Sequence, residues 1–536
     1  MPRFDLWLAC LLAGVTALSR VPFRAHLLPH WDVIQFALAL REYDVVKHQP
    51  HPPGYILYVG LARALDILLA DPSVTLTWLA IGSSAVTVFL VYRLAWSLYG
   101  RATAVTATVG LAASPLFWFY GLLGLSYATE AALATAVAML VWRMRDGRVT
   151  AVYGSAVALG LAGGIRQSLL VLLLPLWLGM AWSALRRWRP LLAGLGVLAL
   201  VVAAWLVPMV WLTGGPRAYL AAGLELFDST VRATTLLGDS RGNVITLIEA
   251  LLLGLGVLLP ILMAVVPAAG RMLARRDGPA WLFAGWIVPP LVVYVLLHFG
   301  QYGYLCTVLP ALYIVVGRAL VALGDRLAGA TVTRRVLSAV LLGVAVVAHA
   351  GFFTRAGSIE VRGLEAEPGT ESWETMLAAR YRFRLWLYTA RGLHEHEQVI
   401  RTYRDAIRRD FDPSATALVT ELGNRRSFPW FRHVRYYLPE YPVYHLRVGG
   451  FSRGYLTSQH KDTMAAIGDP DIPLPSSVRR LVWVVDYWNP AVPRPPGLRA
   501  RPLAYGRWLY VLDLDQRPVE HAGYRLTPVT AVARLR

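Results

Sequence analysis

The chain has 536 residues, 56% of them hydrophobic and 16% charged, and carries a formal charge of +19. Apolar runs of about twenty residues, enough to cross a bilayer as a helix, recur through its first two thirds and exclude a soluble globular protein. The excess charge falls in short arginine clusters between those runs, where it reports topology rather than a nucleic-acid partner. Cys10 and Cys306 lie inside apolar runs and imply no disulfide framework.

The first run, LWLACLLAGVTALS, has the basic start and small residues of a signal peptide, but many spans follow and it reads as an uncleaved helix. The pattern predicts about 11 transmembrane helices, near 5–22, 74–97, 102–122, 126–143, 150–166, 168–185, 190–213, 244–267, 280–298, 304–323 and 335–353. With the N-terminus cytoplasmic, the inner connections are YRLAWSLYGRA, RMRDGR, RRWRP, GRMLARRDG and GDRLAGATVTRR, and each carries at least two arginines.

One run breaks the alternation. YILYVGLARALDILLA, Tyr55 to Ala70, is short and places Arg63 and Asp66 on one helical face. Counting it as a span would put Arg93, Arg101 and every later cluster outside, so it is expected to lie on the outer face as an interfacial helix. That choice places outside a first loop over 23–73, the helix ends near Ser126–Glu130 and Arg166–Ser168, the loop 214–243, the turn 298–303 and everything after Phe353. Residues 354–536 are expected to form an extracytoplasmic α/β domain. ATALVTE, VRRLVWVVDYW and GRWLYVLDL read as strands, and SWETMLAARYRFRLWLYTARGLHEHEQVIRTYRDAIRRD reads as helical. The stretch SFPWFRHVRYYLPEY reads as packed core with a solvated basic face rather than a contact with glycan or acceptor. No internal repeat points to an inverted-repeat transporter.

Polar residues gather on the expected outer side. The first loop supplies His30, Asp32, Glu42, Asp44 and the segment KHQPHPPGY, with Lys47, His48, His51 and Tyr55. LSYATEAAL supplies Tyr127 and Glu130; GGIRQSL supplies Arg166 and Gln167; HFGQYGYL supplies His298, Gln301, Tyr302 and Tyr304. Ionisable groups beside a membrane are costly and usually line a polar cavity or pair with one another. Structural readings stand beside each: Glu130 and Arg166 as an ion pair between helices, Asp32 as the N-cap of VIQFALALREY, His30 and His48 as ordinary loop residues. Pro52-Pro53 fixes backbone dihedrals and places Tyr55 at a helix start. Zinc-ligand spacing, a phosphate-cradling glycine loop and a nucleophile elbow are absent from the sequence, which argues against an ATP-driven pump or a metalloprotease.

With these residues in that order, the chain resembles the GT-C superfamily of membrane glycosyltransferases, most closely bacterial protein O-mannosyltransferase-like and aminoarabinose-transferase-like members. The matching features are Asp32 soon after the first helix, HPPGYILYVGL opening a juxtamembrane helix, the acid in YATEAAL, the arginine in GGIRQS and the polar turn before GYLCTVLPAL. The resemblance runs over about 1–353 and is most specific in 30–60. Two features depart from it: Asp32 is followed by Val33 where many O-mannosyltransferases have an Asp-Glu pair, and the tail shows no β-trefoil repeats.

The resemblance implies a GT-C-like transmembrane catalytic domain, 1–353, in the cytoplasmic membrane, with the 354–536 domain outside. It also implies a polyprenyl-phosphate sugar donor, attacked with inversion by a hydroxyl of a protein, lipid or glycan acceptor, among membrane lipids and without nucleic acid. Asp32 is then expected as general base, with Glu42, Asp44 and Glu130 as substitutes. Arg166 offers a planar fork for the phosphate, with Lys47, His51 and His298 as further donors. Glu130 would orient Arg166 or grip a sugar hydroxyl; His48, Tyr55, Tyr127, Gln167, Gln301 and Tyr304 complete the expected substrate cavity. The sugar, the acceptor and any divalent cation stay open. So do two rival readings, a transporter or flippase of a lipid-linked envelope intermediate and a non-catalytic envelope assembly protein.

Overall fold

The computed structural model describes residues 1–24, 26–228, 232, 235, 241–274, 278–327, 331–355, 385, 388–422, 431–448, 454–458, 467–485, 488, 492–515 and 517–529. The helices begin with α1 (Arg3–Arg20), α2 (Trp31–Arg41), α3 (Ile56–Leu69), α4 (Pro72–Tyr99), α5 (Arg101–Ala113) and α6 (Pro115–Tyr120). They continue with α7 (Tyr127–Trp142), α8 (Val149–Ile165), α9 (Ser168–Leu185), α10 (Trp188–Leu212) and α11 (Pro216–Leu226). Then come α12 (Arg241–Leu255), α13 (Leu259–Ala274), α14 (Gly278–Leu296), α15 (Leu309–Leu327) and α16 (Thr331–Arg355). Among the described residues seven helical stretches, not eleven, are long and apolar enough to cross a membrane. The other expected spans coincide with helices that are shorter or less apolar. The chain is a multi-pass membrane protein.

Local chemistry explains where the helices differ from expectation. The run 102–122 is broken between α5 and α6, because Pro115 has no N–H to continue the ladder and Ser114 caps the new helix at Phe117 N, 3.4 Å. The run 244–267 is broken between α12 and α13 at Gly256, which has φ +48. Helix α3 is not among the span-capable stretches. It buries Tyr58, Val59 and Ala62 and exposes Ile67 and Leu68, as an amphipathic helix at an interface would. Arg63 and Asp66, its two charges, are both engaged: Arg63 Nη2 donates to the Ala39 carbonyl (2.7 Å), and Asp66 accepts from the Thr75 hydroxyl (2.6 Å).

Helix α4 sets the polarity of the bundle. Asp71 caps it, accepting from Ser73 N (2.7 Å) and Val74 N (3.1 Å) with Pro72 at the first turn, and its far end reaches Gly100. Just beyond, Arg101 holds Asp5 of α1 through two hydrogen bonds, 2.7 and 2.9 Å. The first loop and the arginine-bearing connection therefore lie at opposite ends. Close helix packing needs small residues: a Cβ on Gly317 of α15 would meet the Ala107 backbone N of α5 at 2.8 Å.

Beyond α16 the described chain is mixed α/β. Helix α17 (Ala390–Asp410) covers the second half of the expected 372–410 helix; most of the first half lies outside the described residues. Helix α18 (Phe431–Tyr437) follows strand β1 (Thr416–Leu422). The remaining strands are β2 (Val443–Arg447), β3 (Tyr455–Thr457), β4 (Asp471–Leu474), β5 (Arg480–Trp483), β6 (Arg499–Leu503), β7 (Arg507–Asp513), β8 (Val519–His521) and β9 (Tyr524–Pro528). A six-stranded sheet has the order β3-β2-β1-β5-β7-β6, with β1 parallel to β2 and β5 and the outer pairings antiparallel. A smaller sheet has the order β4-β9-β8. Period-two alternation divides the larger sheet between two cores: Val482 packs with Ile400, Tyr403 and Ile407 of α17, while Leu481 and Trp483 pack with Tyr510 and Leu526.

Candidate active site

The first loop is folded around a tight strap. Asp44 and Gln49 pair through backbone bonds of 2.7 and 2.8 Å, and the Asp44 carboxylate accepts from Val46 N at 2.9 Å. The prolines end in Gly54 at φ +115, where a Cβ would meet Met209 Sδ at 2.7 Å and Tyr43 Oη at 2.9 Å, so the turn requires glycine. The Pro53 carbonyl accepts from Gln167 (3.2 Å) and Tyr219 (3.0 Å), which moors the strap to α9 and α11. Tyr55 stands at the start of α3, as expected.

The strap and α2 form one side of a cavity of about 1120 Å³. Asp32, His48, His51, Tyr55, Arg166, His298, Gln301 and Tyr304 line it. Asp32 does not cap α2. His30 does, its Nδ1 accepting from Asp32 N at 3.1 Å, and this leaves the Asp32 carboxylate in the first turn turned toward the cavity. Gln301 Nε2 donates to Asp32 Oδ2 at 2.8 Å, and Gln301 Oε1 accepts from the Tyr127 hydroxyl at 3.0 Å. Asp32 Oδ1 faces His51 Nδ1 at 3.8 Å, while His51 Nε2 shares a hydrogen bond of 3.0 Å with the Tyr55 hydroxyl.

Arg166, at the α8–α9 turn, is nine-tenths buried. Its Nη1 donates to Glu130 Oε1 at 2.8 Å, the Ser126 hydroxyl donates to the same oxygen at 2.7 Å, and Arg166 Nε donates to the Ser168 hydroxyl at 3.2 Å. The guanidinium lies 4.6 Å from the Tyr304 ring, 4.9 Å from Tyr127 and 5.8 Å from Tyr55.

Burial alone would raise the Asp32 carboxyl, but His51, His30, the Gln301 hydrogen bond and Arg166 outweigh it and hold the group below the usual carboxylate range. Burial pushes His51 down to about 4 and lowers His30 as well. His51 is therefore neutral near pH 7, where the Gln301 hydrogen bond and Arg166 still favour the ionised carboxylate. Among the described residues no three His, Cys, Asp or Glu side chains come together as metal ligands.

Not every expected residue reaches the cavity. Lys47 pairs with Glu42 and with Asp44, whose Oδ2 is 3.7 Å away, and does not line it, because two carboxylates beside the strap compete for the ammonium. Gln167 is spent on the Pro53 carbonyl. Glu130 and Tyr127 stand one layer behind, on Arg166 and Gln301. Conversely, the cavity has a wall absent from the sequence reading: Phe431, Arg432, His445 and Arg447 of the C-terminal part, with Glu225 and Asp228 near the end of α11. The stretch SFPWFRHVRYYLPEY, read as packed core with a solvated basic face, supplies Arg432, which is buried, 4.9 Å over the Trp31 ring. The arginine-aromatic mix of SFPWFRHVRYYLPEY was the available signal.

Fold and site together define a multi-pass membrane protein whose helical bundle and C-terminal α/β part both line a polar cavity. The chain matches no protein-family model and no curated protein. Among solved structures it is similar to ArnT from Cupriavidus metallidurans bound to undecaprenyl phosphate, at 15% identity and a TM-score of 0.56 over 96% of this chain and 99% of that one. It is likewise similar to ArnT from the same organism in the apo state, at 16% identity and a TM-score of 0.53 over 95% and 97%. At such identity the likeness establishes the fold.

Proposed function

We propose that this protein is an inverting glycosyltransferase that moves a sugar from a polyprenyl-phosphate donor to an acceptor hydroxyl, on the outer side of the cytoplasmic membrane. The observation that carries the reading is that Asp32 and Arg166, far apart in sequence, line one cavity, one offering a carboxylate oxygen and the other a guanidinium. Similarity to a structure that holds undecaprenyl phosphate supports the donor class.

The chemistry asked of these groups is modest. The acceptor oxygen attacks the anomeric carbon, the bond from that carbon to the phosphate oxygen breaks, and Asp32 Oδ1 takes the hydroxyl proton. The carboxylate is a weak base, so it accepts the proton late, as the oxygen becomes acidic on bonding. The leaving phosphate departs as an anion and needs charge compensation, which Arg166 supplies from a site fixed by Glu130 and three tyrosines. Gln301 holds the other carboxylate oxygen and so aims Oδ1. The ionisable groups that line the cavity gather at one end of the bundle, which suits this chemistry better than a carrier, which needs charges through the bilayer thickness.

The test is purified protein incubated with a panel of polyprenyl-phosphate sugars. Release of lipid phosphate with sugar appearing on an acceptor is expected. Failure of every donor to release it, in folded protein, would contradict the proposal.

A further inference from the structure

The segments that carry Asp32 and His51 are gripped from the C-terminal part of the chain at several points. Glu397 of α17 accepts from the backbone N–H groups of His26 and of Leu27, the latter at 2.6 Å. On α18, the Tyr437 hydroxyl accepts from Leu28 N at 2.6 Å and His433 Nε2 donates to the Pro29 carbonyl at 3.1 Å. Arg432, 2% exposed, donates from Nη1 to the carbonyls of His48 (3.1 Å) and Lys47 (3.4 Å) while its guanidinium covers Trp31. These contacts bracket Asp32: one set precedes α2 and the other seizes the strap three residues before His51.

The strap needs such a hold. His48 has φ +54, in the left-handed region that a residue with a Cβ seldom adopts and that persists only when surrounding structure enforces it. Its carbonyl is the one that Arg432 binds at the shorter distance. A guanidinium whose Nη1 reaches two adjacent carbonyls while its flat face covers an indole ties the strap to the first turn of α2, and lysine has no planar group to cover the ring.

We propose that Arg432 is a positioning residue: it locks the 44–51 strap to the start of α2, so that His51 and Asp32 face one another on one side of the cavity and the C-terminal domain is a working part of the site. The catalytic consequence rests on the transferase reading; the mechanical one does not.

The test is hydrogen exchange on the full-length protein, with Arg432→Ala and Arg432→Lys. The amides of Asp44, Val46, Lys47, His48 and Gln49 all have acceptors within the strap and report on it directly. In Arg432→Ala they should exchange at least about tenfold faster, while strands β1 and β5 keep their protection. Turnover should fall at least about tenfold with the donor KM within about twofold, and Arg432→Lys should lie between the two in both measurements. Should the strands of the alanine variant open as well, the lysine variant decides. Strap exchange unchanged in the lysine variant and in a folded alanine variant overturns the proposal, as does turnover at the wild-type level in a variant whose strap exchanges faster. Wild-type protein that releases no lipid phosphate from any donor would overturn the transferase reading instead, and the exchange data would still decide whether Arg432 holds the strap.

Discussion

Two carboxylate–arginine pairs tie helices together at opposite ends of the bundle. Asp5 gives both oxygens to Arg101, at 2.7 and 2.9 Å, and takes the Tyr92 hydroxyl at 2.8 Å as well. Glu130 takes a single Arg166 nitrogen and the Ser126 hydroxyl on one oxygen, and its arginine stands at the wall of a cavity beside a second carboxylate, Asp32. A pair whose hydrogen-bonding capacity is consumed between its own members is a clamp. A pair turned toward a cavity, with an ionised neighbour held by a different residue, is a place where substrate charge can be met. Residue types alone do not separate the two cases; the surrounding geometry does.

Breaking each end should expose that difference. Asp32→Asn keeps the Gln301 contact and the shape of the first turn but removes the proton acceptor, so release of lipid phosphate should fall by at least about a hundredfold, the range for a positioned general base. Arg166→Lys keeps the charge and loses the fork, and should lower turnover about a hundredfold, near the 3 kcal/mol typical of a lost donor to developing negative charge. Arg101→Lys, the matching change at the clamp, should leave turnover alone and lower the unfolding temperature only slightly, since the arginine is half exposed. Equal losses at both ends, measured as turnover per folded molecule, would erase the distinction. Tyr127→Phe removes the hydroxyl that orients Gln301 and should slow turnover about fivefold, as for one neutral hydrogen bond of about 1 kcal/mol.

The cavity end should also carry the pH response. Burial pushes His51 down to about 4, His433 and His445 to about 3 and His48 to about 2. Below the unfolded histidine value, about 6.5, the unfolded chain binds protons that the folded one refuses, so stability falls as pH drops from there toward 4. Thermal unfolding should therefore begin earlier at pH 5 than at pH 7. Asp32, held low, contributes in the same sense only further down: its stabilisation is present above the unfolded carboxylate value and is lost as pH falls through its folded one. Turnover should accordingly stay flat from neutral pH down to the ordinary carboxylate range. An acidic limb that persists in Asp32→Asn would assign the base to another group.

Much of this arrangement was legible in the sequence because membrane physics writes in long words. Apolar length and arginine placement located the helices, and rejecting Tyr55–Ala70 as a span agrees with the short amphipathic α3. The same rules gathered Asp32, His51, Arg166, Gln301 and Tyr304, which share the cavity. What escaped was local and competitive. Lys47 lies in the right loop but is taken by Glu42 and Asp44, and Asp32 yields the cap to His30, both decided by distances of a few ångströms. Arg432 escaped for another reason: nothing in the hydropathy of α18 says that its first turn points into a cavity built by residues four hundred positions earlier.

The division of labour between Asp32 and Arg166 is tested most directly by titrating polyprenyl phosphate into purified wild-type, Asp32→Asn and Arg166→Lys proteins. The account predicts that Asp32→Asn binds the lipid at least as tightly as wild type although its turnover is lost, and that Arg166→Lys binds about tenfold more weakly, as for one lost charge-assisted bond. Loss of lipid binding in Asp32→Asn, or unaltered binding in Arg166→Lys, would contradict it.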